Sequence, residues 1–180
     1  MTRYIAFLRA INVGGHTVKM DILRQLFEEL GLSKVETFIA SGNVIFETPS
    51  QNERELEERI QAKLHASLGY QVATFLRTDQ EVASIVTYQP FPQSDLDAAT
   101  AFNVALLSSE LDSQSNQKLM ALQSEIDAYH IHEREIYWMC QKKQSESKFS
   151  NAVLEKTIGR QSTLRGINTL KKLIEKYPPA

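Results

Sequence analysis

The stretch Tyr4-Ile-Ala-Phe-Leu-Arg-Ala-Ile-Asn-Val-Gly-Gly15 begins as a strand and ends as a polar loop. Residues 4–8 are apolar without alternation, which is typical of a strand buried on both faces. Arg9, Asn12 and the pair Gly14-Gly15 follow directly. Such a loop either makes a tight turn or presents an arginine, an amide and backbone N–H groups to an anion.

The first part of the chain has the element order of one small α+β unit. Apolar residues recur every four positions from Leu56 to Leu68, and Gly31 and Gly69 stand where helices end. The predicted elements are a strand at 3–11, a helix at 19–30, strands at 35–39 and 44–48, a helix at 51–68 and a strand at 71–77. This strand-helix-strand-strand-helix-strand order is that of the ferredoxin-like split βαβ motif.

The same order is predicted a second time in the C-terminal part, so the fold class is α+β with two ferredoxin-like subdomains. The predicted elements are a strand at 101–107, a helix at 113–122, a hairpin at 126–139, a helix at 147–158, a strand at 162–165 and a last helix at 168–176. The Pro-containing segment 89–100 is predicted to be a linker between subdomains at 1–88 and 101–180. Because the halves share no visible sequence identity, the duplication is one of topology.

The split motif predicts that two polar loops meet at one edge of the first sheet. In this motif the third strand lies antiparallel between the first two. The segment from Arg9 to Asn12 would then lie beside the turn Ser41-Gly42-Asn43. That turn is either an ordinary hairpin turn or a source of backbone N–H groups and an amide for a ligand. Lys19, near the start of the next helix, would favour an anion there.

A second set of candidate residues lies near the C-terminus. Arg165-Gly-Ile-Asn168 echoes Arg9-Ala-Ile-Asn12, and it follows a predicted strand. Arg9 and Arg165 either pair with a carboxylate or carbonyl in the fold or face a ligand. Asn168 and Thr169 either cap the last helix or contribute to the same ligand site.

The charge of the chain is nearly balanced overall but uneven along its length. The 180 residues carry a formal net charge of -2, so no global basic field indicates nucleic acid. Residues 142–176, however, contain nine Lys or Arg and three Glu. The candidates for a phosphate-binding surface in this segment are Lys148, Lys156, Arg160, Arg165, Lys171 and Lys172, which otherwise form a solvated face.

Several classes of protein are excluded by what the sequence contains. Cys140 is the single cysteine, so the chain forms no internal disulfide and no cysteine-based zinc site. His130 and His132 are spaced to face one side of a strand, but no further ligands accompany them, and we predict neither a metal site nor a cofactor. No segment has the roughly 20 apolar residues of a membrane span. We therefore expect a cytoplasmic protein that does not associate with membranes.

The chain resembles the bacterial domain of unknown function 1697 family along nearly its whole length. Beyond the opening stretch, the resemblance lies in Lys19-Met20 with Leu23, Thr37-Phe-Ile-Ala-Ser-Gly-Asn-Val-Ile-Phe46, Lys148-Phe-Ser-Asn151, Leu154-Glu-Lys156, Thr163-Leu-Arg165, Asn168-Thr169 and Lys172-Leu173. The chain differs from the family pattern in having Ala10 in place of glycine and Gly166-Ile167 in place of Asn-Trp. The resemblance implies a bacterial α+β protein with ferredoxin-like subdomains, and it implies no activity.

The leading hypothesis from the sequence is a domain that binds a phosphate-bearing ligand, either a small molecule or nucleotide or a nucleic acid. Arginine would pair with phosphate oxygens, and the glycine loops would donate N–H groups. Two alternatives remain, namely an enzyme acting on a small phosphorylated substrate, for which no catalytic residue is identified, and a protein-interaction module. The predicted ligand-binding residues are Arg9, Asn12, Gly14, Gly15, Lys19, Ser41, Gly42, Asn43, Arg165, Asn168 and Thr169.

Overall fold

Two four-stranded antiparallel sheets, each with helices, make up the fold. The computed structural model describes residues 1–12, 15–39 and 42–180. The strands are β1 Thr2–Leu8, β2 Ser33–Thr37, β3 Asn43–Thr48, β4 Thr74–Thr78, β5 Ala101–Leu106, β6 Asp127–His132, β7 Glu135–Cys140 and β8 Thr163–Gly166. The helices are α1 Met20–Glu28, α2 Glu53–Leu68, α3 Asp79–Thr87, α4 Gln93–Ala98, α5 Ser113–Met120, α6 Asn151–Ile158 and α7 Ile167–Lys176, with a 3-10 turn at Gln144–Glu146.

The two sheets have equivalent strand orders. The first is β2-β3-β1-β4 and the second is β6-β7-β5-β8. In the first sheet β3 pairs antiparallel with both β1 and β2, and β7 does the same with β5 and β6 in the second. Each half therefore has the order β-α-β-β-α-β, with one more helix after its last strand. The predicted α+β class and the repeated topology are confirmed.

The chain divides into two compact units. The first consists of Met1–Val82 with Tyr177–Ala180, and the second is Ala83–Lys176. The predicted linker at 89–100 thus lies inside the second unit and contains α4. Residues 177–180 join the first unit because the hydroxyl of Tyr177 donates a hydrogen bond to Glu36 and a guanidinium nitrogen of Arg3 donates to the carbonyl of Pro178 at 3.0 Å.

Strand β1 forms the centre of the first unit. Tyr4, Ala6 and Leu8 belong to the apolar core that α1 and α2 complete with side chains such as Phe27 and Ile60. Ile5 and Phe7, which alternate with these residues, are fully buried as well, which confirms that residues 4–8 are buried on both faces. Full burial of each large apolar side chain contributes about 1.5–3 kcal/mol to folding.

An aromatic cluster occupies the core of the second unit. The ring of Phe149 lies 4.7 Å from that of Tyr129 and 4.8 Å from that of Trp138, centroid to centroid. The indole N–H of Trp138 donates to Oδ1 of Asp127 at 2.8 Å. Ser147 donates its hydroxyl to the other carboxylate oxygen of Asp127 at 2.7 Å. These bonds compensate for burial of a carboxylate beside the aromatic core.

Local capping chemistry sets the helix boundaries. Helix α2 begins where the side chain of Asn52 accepts a hydrogen bond from the backbone N–H of Glu55, and it ends at Gly69 with φ +83°. Helix α6 begins at Asn151 and not at 147, because Ser150 is its N-cap and Ser147 bonds Asp127 instead. No helix in the part of the chain that the structure describes has the length and apolar character needed to cross a membrane.

Candidate functional site

The two polar loops of the first unit pack against each other as the split motif predicts. The backbone N–H of Leu8 donates to the carbonyl of Gly42 at 2.8 Å. Gly42 has φ +84°, and a Cβ built on it would lie 2.7 Å from Cγ2 of Ile11 and 3.1 Å from Cβ of Leu8. Only glycine fits this contact without displacing its neighbours. Gly14 and Ser41, which were predicted to belong to this site, lie outside the described residues.

The two asparagine side chains of this region stabilise turns. Oδ1 of Asn12 accepts a hydrogen bond from the backbone N–H of Val18 at 2.8 Å. Nδ2 of Asn43 donates to the carbonyl of Phe38 at 2.9 Å, and Asn43 is fully buried. These contacts are the ones expected if the asparagines form turns. Their contribution to ligand binding stays a prediction.

The remaining predicted residues of the first unit lie around the loop between β1 and α1. Arg9 is half-buried, and its backbone N–H donates to the carbonyl of Ala73 at 2.9 Å. Gly15 is exposed with φ +83°. Lys19 is exposed at the N-cap position of α1, without a side-chain cap bond. Gly15 and the side chain of Lys19 therefore both lie at the surface.

Arg165 lies within β8 and is buried. Its guanidinium donates to Oγ1 of Thr163 at 2.7 Å and to the carbonyl of Leu164 at 2.9 Å. Burial lowers the pKa of Arg165 to about 10, because the charged form loses its hydration. These contacts favour the structural alternative for this arginine, in which it pairs with groups of the fold.

Arg77, which the sequence analysis did not single out, is the structural counterpart of Arg165. Arg77 lies opposite Ile5 in the β1–β4 register, and Arg165 lies opposite Val104 in the β5–β8 register. Each donates to the carbonyl of the residue before it, at 2.8 Å for Arg77. The echo between the segments at Arg9 and Arg165 is therefore not a structural repeat, because Arg9 follows the first strand of its unit and Arg165 is inside the last.

The second unit contains a polar cavity at the start of α7, which we call the α7 cavity. Its volume is about 590 Å³. It is lined by residues 166–169 and Lys171 of the β8–α7 segment, by residues 99–103 at the start of β5, by residues 86–89, by Gln144 and by one side of α4. Asn168 and Thr169 are thus brought together here, whereas Arg165 does not line the cavity.

The α7 cavity has groups suited to an anion on one side and hydrogen-bonding groups on another. The first N–H groups of a helix lack intrahelical acceptors, and the helix dipole favours negative charge at that end. Lys171 adds a positive charge. Asn103 is mostly buried, and its Nδ2 donates to Oε1 of Gln144 at 3.4 Å. Asp97 also lines the cavity and accepts a hydrogen bond from Gln93 at 2.8 Å.

Tyr88 forms a wall of the α7 cavity and is held by two histidines of β6. Its hydroxyl lies 2.7 Å from Nε2 of His130, and its ring stacks on that of His132 with centroids 4.0 Å apart. Both histidines therefore face one side of the strand, as their spacing predicts. Desolvation by burial lowers the pKa of His130, and the neighbouring His132 adds to this effect. Within residues 1–12, 15–39 and 42–180 no group of three or more His, Cys, Asp or Glu is placed to hold a metal ion.

The basic residues of the C-terminal third have different surroundings. Arg160 donates to the carbonyls of Ser109 at 2.6 Å and Glu110 at 3.2 Å. Lys171 lines the α7 cavity, whereas Lys148 lines another cavity. Most of the residues that line the α7 cavity, Asn103 and Gln144 among them, were not predicted from the sequence. The available signal was the polar Asn103 inside the apolar run from Ala101 to Leu107.

Comparison with known families and structures supports the resemblance. The family model described as "Protein of unknown function (DUF1697)" matches residues 1–137. The chain belongs to this family. No functionally curated protein matches this DUF1697 member.

One solved structure has the same fold over almost its whole length. It is the conserved bacterial protein SP0830 from Streptococcus pneumoniae, which is 24% identical, with a TM-score of 0.81 and 99% coverage of both chains. At this identity the similarity concerns the fold alone. The match therefore supports the two-unit α+β architecture of this DUF1697 protein.

Proposed function

We propose that this protein binds a small phosphate-bearing molecule in the α7 cavity. The observation that carries the proposal is the meeting of the first turn of α7, Lys171 and the amide of Asn103 around one cavity of about 590 Å³. This volume is within the usual range for small-ligand pockets, roughly 300–1,000 Å³. A phosphate group would lie against the helix start and Lys171, where N–H donors and positive charge coincide.

The other walls of the cavity indicate what the rest of the ligand would carry. Gln89, Gln93, Thr100 and Gln144 offer hydrogen bonds, and Asp97 accepts them. An inorganic phosphate ion would leave these groups to water, whereas a phosphate ester with hydroxyl or amino groups would bind them. We therefore propose a phosphorylated sugar or nucleotide. No residue is assigned a catalytic role.

Nucleic acid is the other form of the same hypothesis, and the surroundings of the basic residues favour it less. Arg160 donates to backbone carbonyls, and Arg165 is buried. Two of the six basic candidates are therefore engaged in the fold. The cavity walls suit a ligand that enters with most of its surface, which a phosphate ester does more completely than a polynucleotide backbone.

Calorimetric titration with ribose 5-phosphate, ribose and a single-stranded oligonucleotide tests this proposal. We expect ribose 5-phosphate to bind and ribose to bind much more weakly, since only the former carries the anion. Lys171→Gln should weaken binding of ribose 5-phosphate by about three- to tenfold. Lys172→Gln is the matched control, because Lys172 is also exposed but does not line the cavity.

A second variant adds a side chain at Gly166, which lines the α7 cavity. A Cβ at Gly166 would lie 3.7 Å from Oδ1 of Asn103, an ordinary contact distance. Gly166→Ala adds only this Cβ, so it should keep the melting temperature and reduce binding. The proposal is wrong if ribose 5-phosphate does not bind, or if Lys172→Gln weakens binding as much as Lys171→Gln. Binding of the oligonucleotide alone would favour a nucleic-acid ligand.

A further inference from the structure

A second cavity in the same unit has a different chemical character. It also measures about 590 Å³, and it lies between the end of α5, the start of β6 and the segment that leads into α6. We call it the α5–β6 cavity. Its lining contains none of the residues that line the α7 cavity, so the proposed function does not use it.

One wall of the α5–β6 cavity is apolar. Leu122, Ile126, Phe149 and Val153 line it. Leu122 is one of the few large apolar side chains that the described residues expose, with 37% of its surface accessible. When a ligand covers apolar surface of this kind, the free energy of the complex falls in proportion to the area removed from water.

The charged groups of the cavity are mainly acidic. Glu125, Asp127 and Glu146 line it together with a single base, Lys148, so three carboxylates face one ammonium and the lining has a net charge of -2. Asp127 accepts hydrogen bonds at both oxygens, from Trp138 and Ser147. Glu146 accepts a backbone hydrogen bond from Lys143 at 3.1 Å.

We propose that the α5–β6 cavity binds a small organic cation with an aromatic or branched aliphatic body. The apolar wall would cover the body of the ligand, and the excess of carboxylates would attract its positive group. Opposite charges at a partly buried site attract more strongly than in bulk water, because the effective dielectric constant is lower. A neutral ligand of the same shape would gain only the apolar contacts, and an anion would be repelled.

The single tryptophan of the chain reports on this cavity. Trp138 is almost fully buried, but its ring packs on Phe149 and its indole N–H donates to Asp127, and both of these residues line the cavity. A charge bound beside Asp127 or a shift of Phe149 would change the emission of Trp138. Trp138 lines neither cavity and lies opposite Asn103 of the α7 cavity in the β5–β7 register, so the matched variants described below assign a change in its emission to the α5–β6 cavity.

Three probes of nearly equal size and different charge test the proposal on the intact protein. They are 2-phenylethylamine, 2-phenylethanol and 3-phenylpropionate, which do not absorb at the red edge of the indole band. We expect 2-phenylethylamine to change the Trp138 emission with an affinity about tenfold higher than that of 2-phenylethanol. We expect 3-phenylpropionate to have no effect at the same concentrations.

Matched variants locate the effect. Glu125→Gln removes one lining carboxylate and should weaken the binding of 2-phenylethylamine by about two- to fivefold. Glu110→Gln changes an exposed carboxylate of the same unit that does not line the cavity, and it should leave the affinity unchanged. An unchanged Trp138 emission with 2-phenylethylamine overturns the proposal. So does equal or tighter binding of 2-phenylethanol or 3-phenylpropionate, or an equal effect of the two variants.

Discussion

Replacement of Gly42 by alanine tests the contact between the two loops of the first unit. A residue with a side chain at φ +84° is strained, at a cost of about 1–2 kcal/mol. Reduced freedom of the unfolded chain offsets about 0.4–1 kcal/mol of this. The new Cβ would also lie 2.7 Å from Ile11, and overpacking of this kind costs about 1–3 kcal/mol. We expect Gly42→Ala to lower the free energy of unfolding by about 1–5 kcal/mol in total.

Gly31→Ala separates the backbone term from the steric term. Gly31 has φ +82°, but a Cβ there would have no atom within 4 Å. Gly31→Ala should therefore lower the free energy of unfolding by about 1 kcal/mol, from backbone strain alone. Urea unfolding followed by far-ultraviolet circular dichroism measures both variants. If Gly42→Ala lowers the free energy of unfolding no more than Gly31→Ala does, the close contact between Gly42 and Ile11 is contradicted.

Two further predictions concern stability. Ala10 has φ +53°, so Ala10→Gly should raise the free energy of unfolding, measured in urea, by up to about 1 kcal/mol. The control is Ala66→Gly on the exposed face of α2, which should lower the free energy of unfolding by about 1 kcal/mol. A loss of stability in Ala10→Gly would contradict the left-handed conformation of Ala10. Burial holds the pKa of His130 below its unfolded value of about 6.5, so the folded state binds the proton less readily and stability falls as pH drops below about 6.5. Unfolding curves at several pH values should show a smaller loss for His130→Gln than for wild type, and an identical pH dependence would refute the assignment.

The elements of the fold could be predicted because their signals are local. The four-residue spacing from Leu56 to Leu68 and the stop at Gly69 define α2 within its own segment. The uniformly apolar run of β1 likewise indicates burial on both faces. Helix α4 was missed because Leu96 is its only half-buried apolar residue, so it shows no apolar stripe. Its N-cap residue, Pro92, belongs to a Pro-containing segment that is typical of a loop.

The candidate site could be predicted only in part because its walls come from distant segments. Asn168 and Thr169 were identified from their place near a helix start. Asn103 and Gln144 lie 41 residues apart in sequence and meet only through the pairing of the second sheet. The burial of Arg165 depends likewise on its neighbours in space, and an arginine at a strand end has the same local pattern whether it binds a ligand or the fold.

The return of Tyr177 to the first unit has a consequence for the order in which that unit forms during synthesis. A ribosome releases residues 1–82 well before it reaches Tyr177, with the whole second unit made in between. The nascent first unit therefore lacks two contacts of Tyr177. These are the hydrogen bond from its hydroxyl to Glu36 and the edge contact of its ring with Phe38, with ring centroids 6.2 Å apart. The N-terminal unit is translated first, yet its set of contacts is completed last.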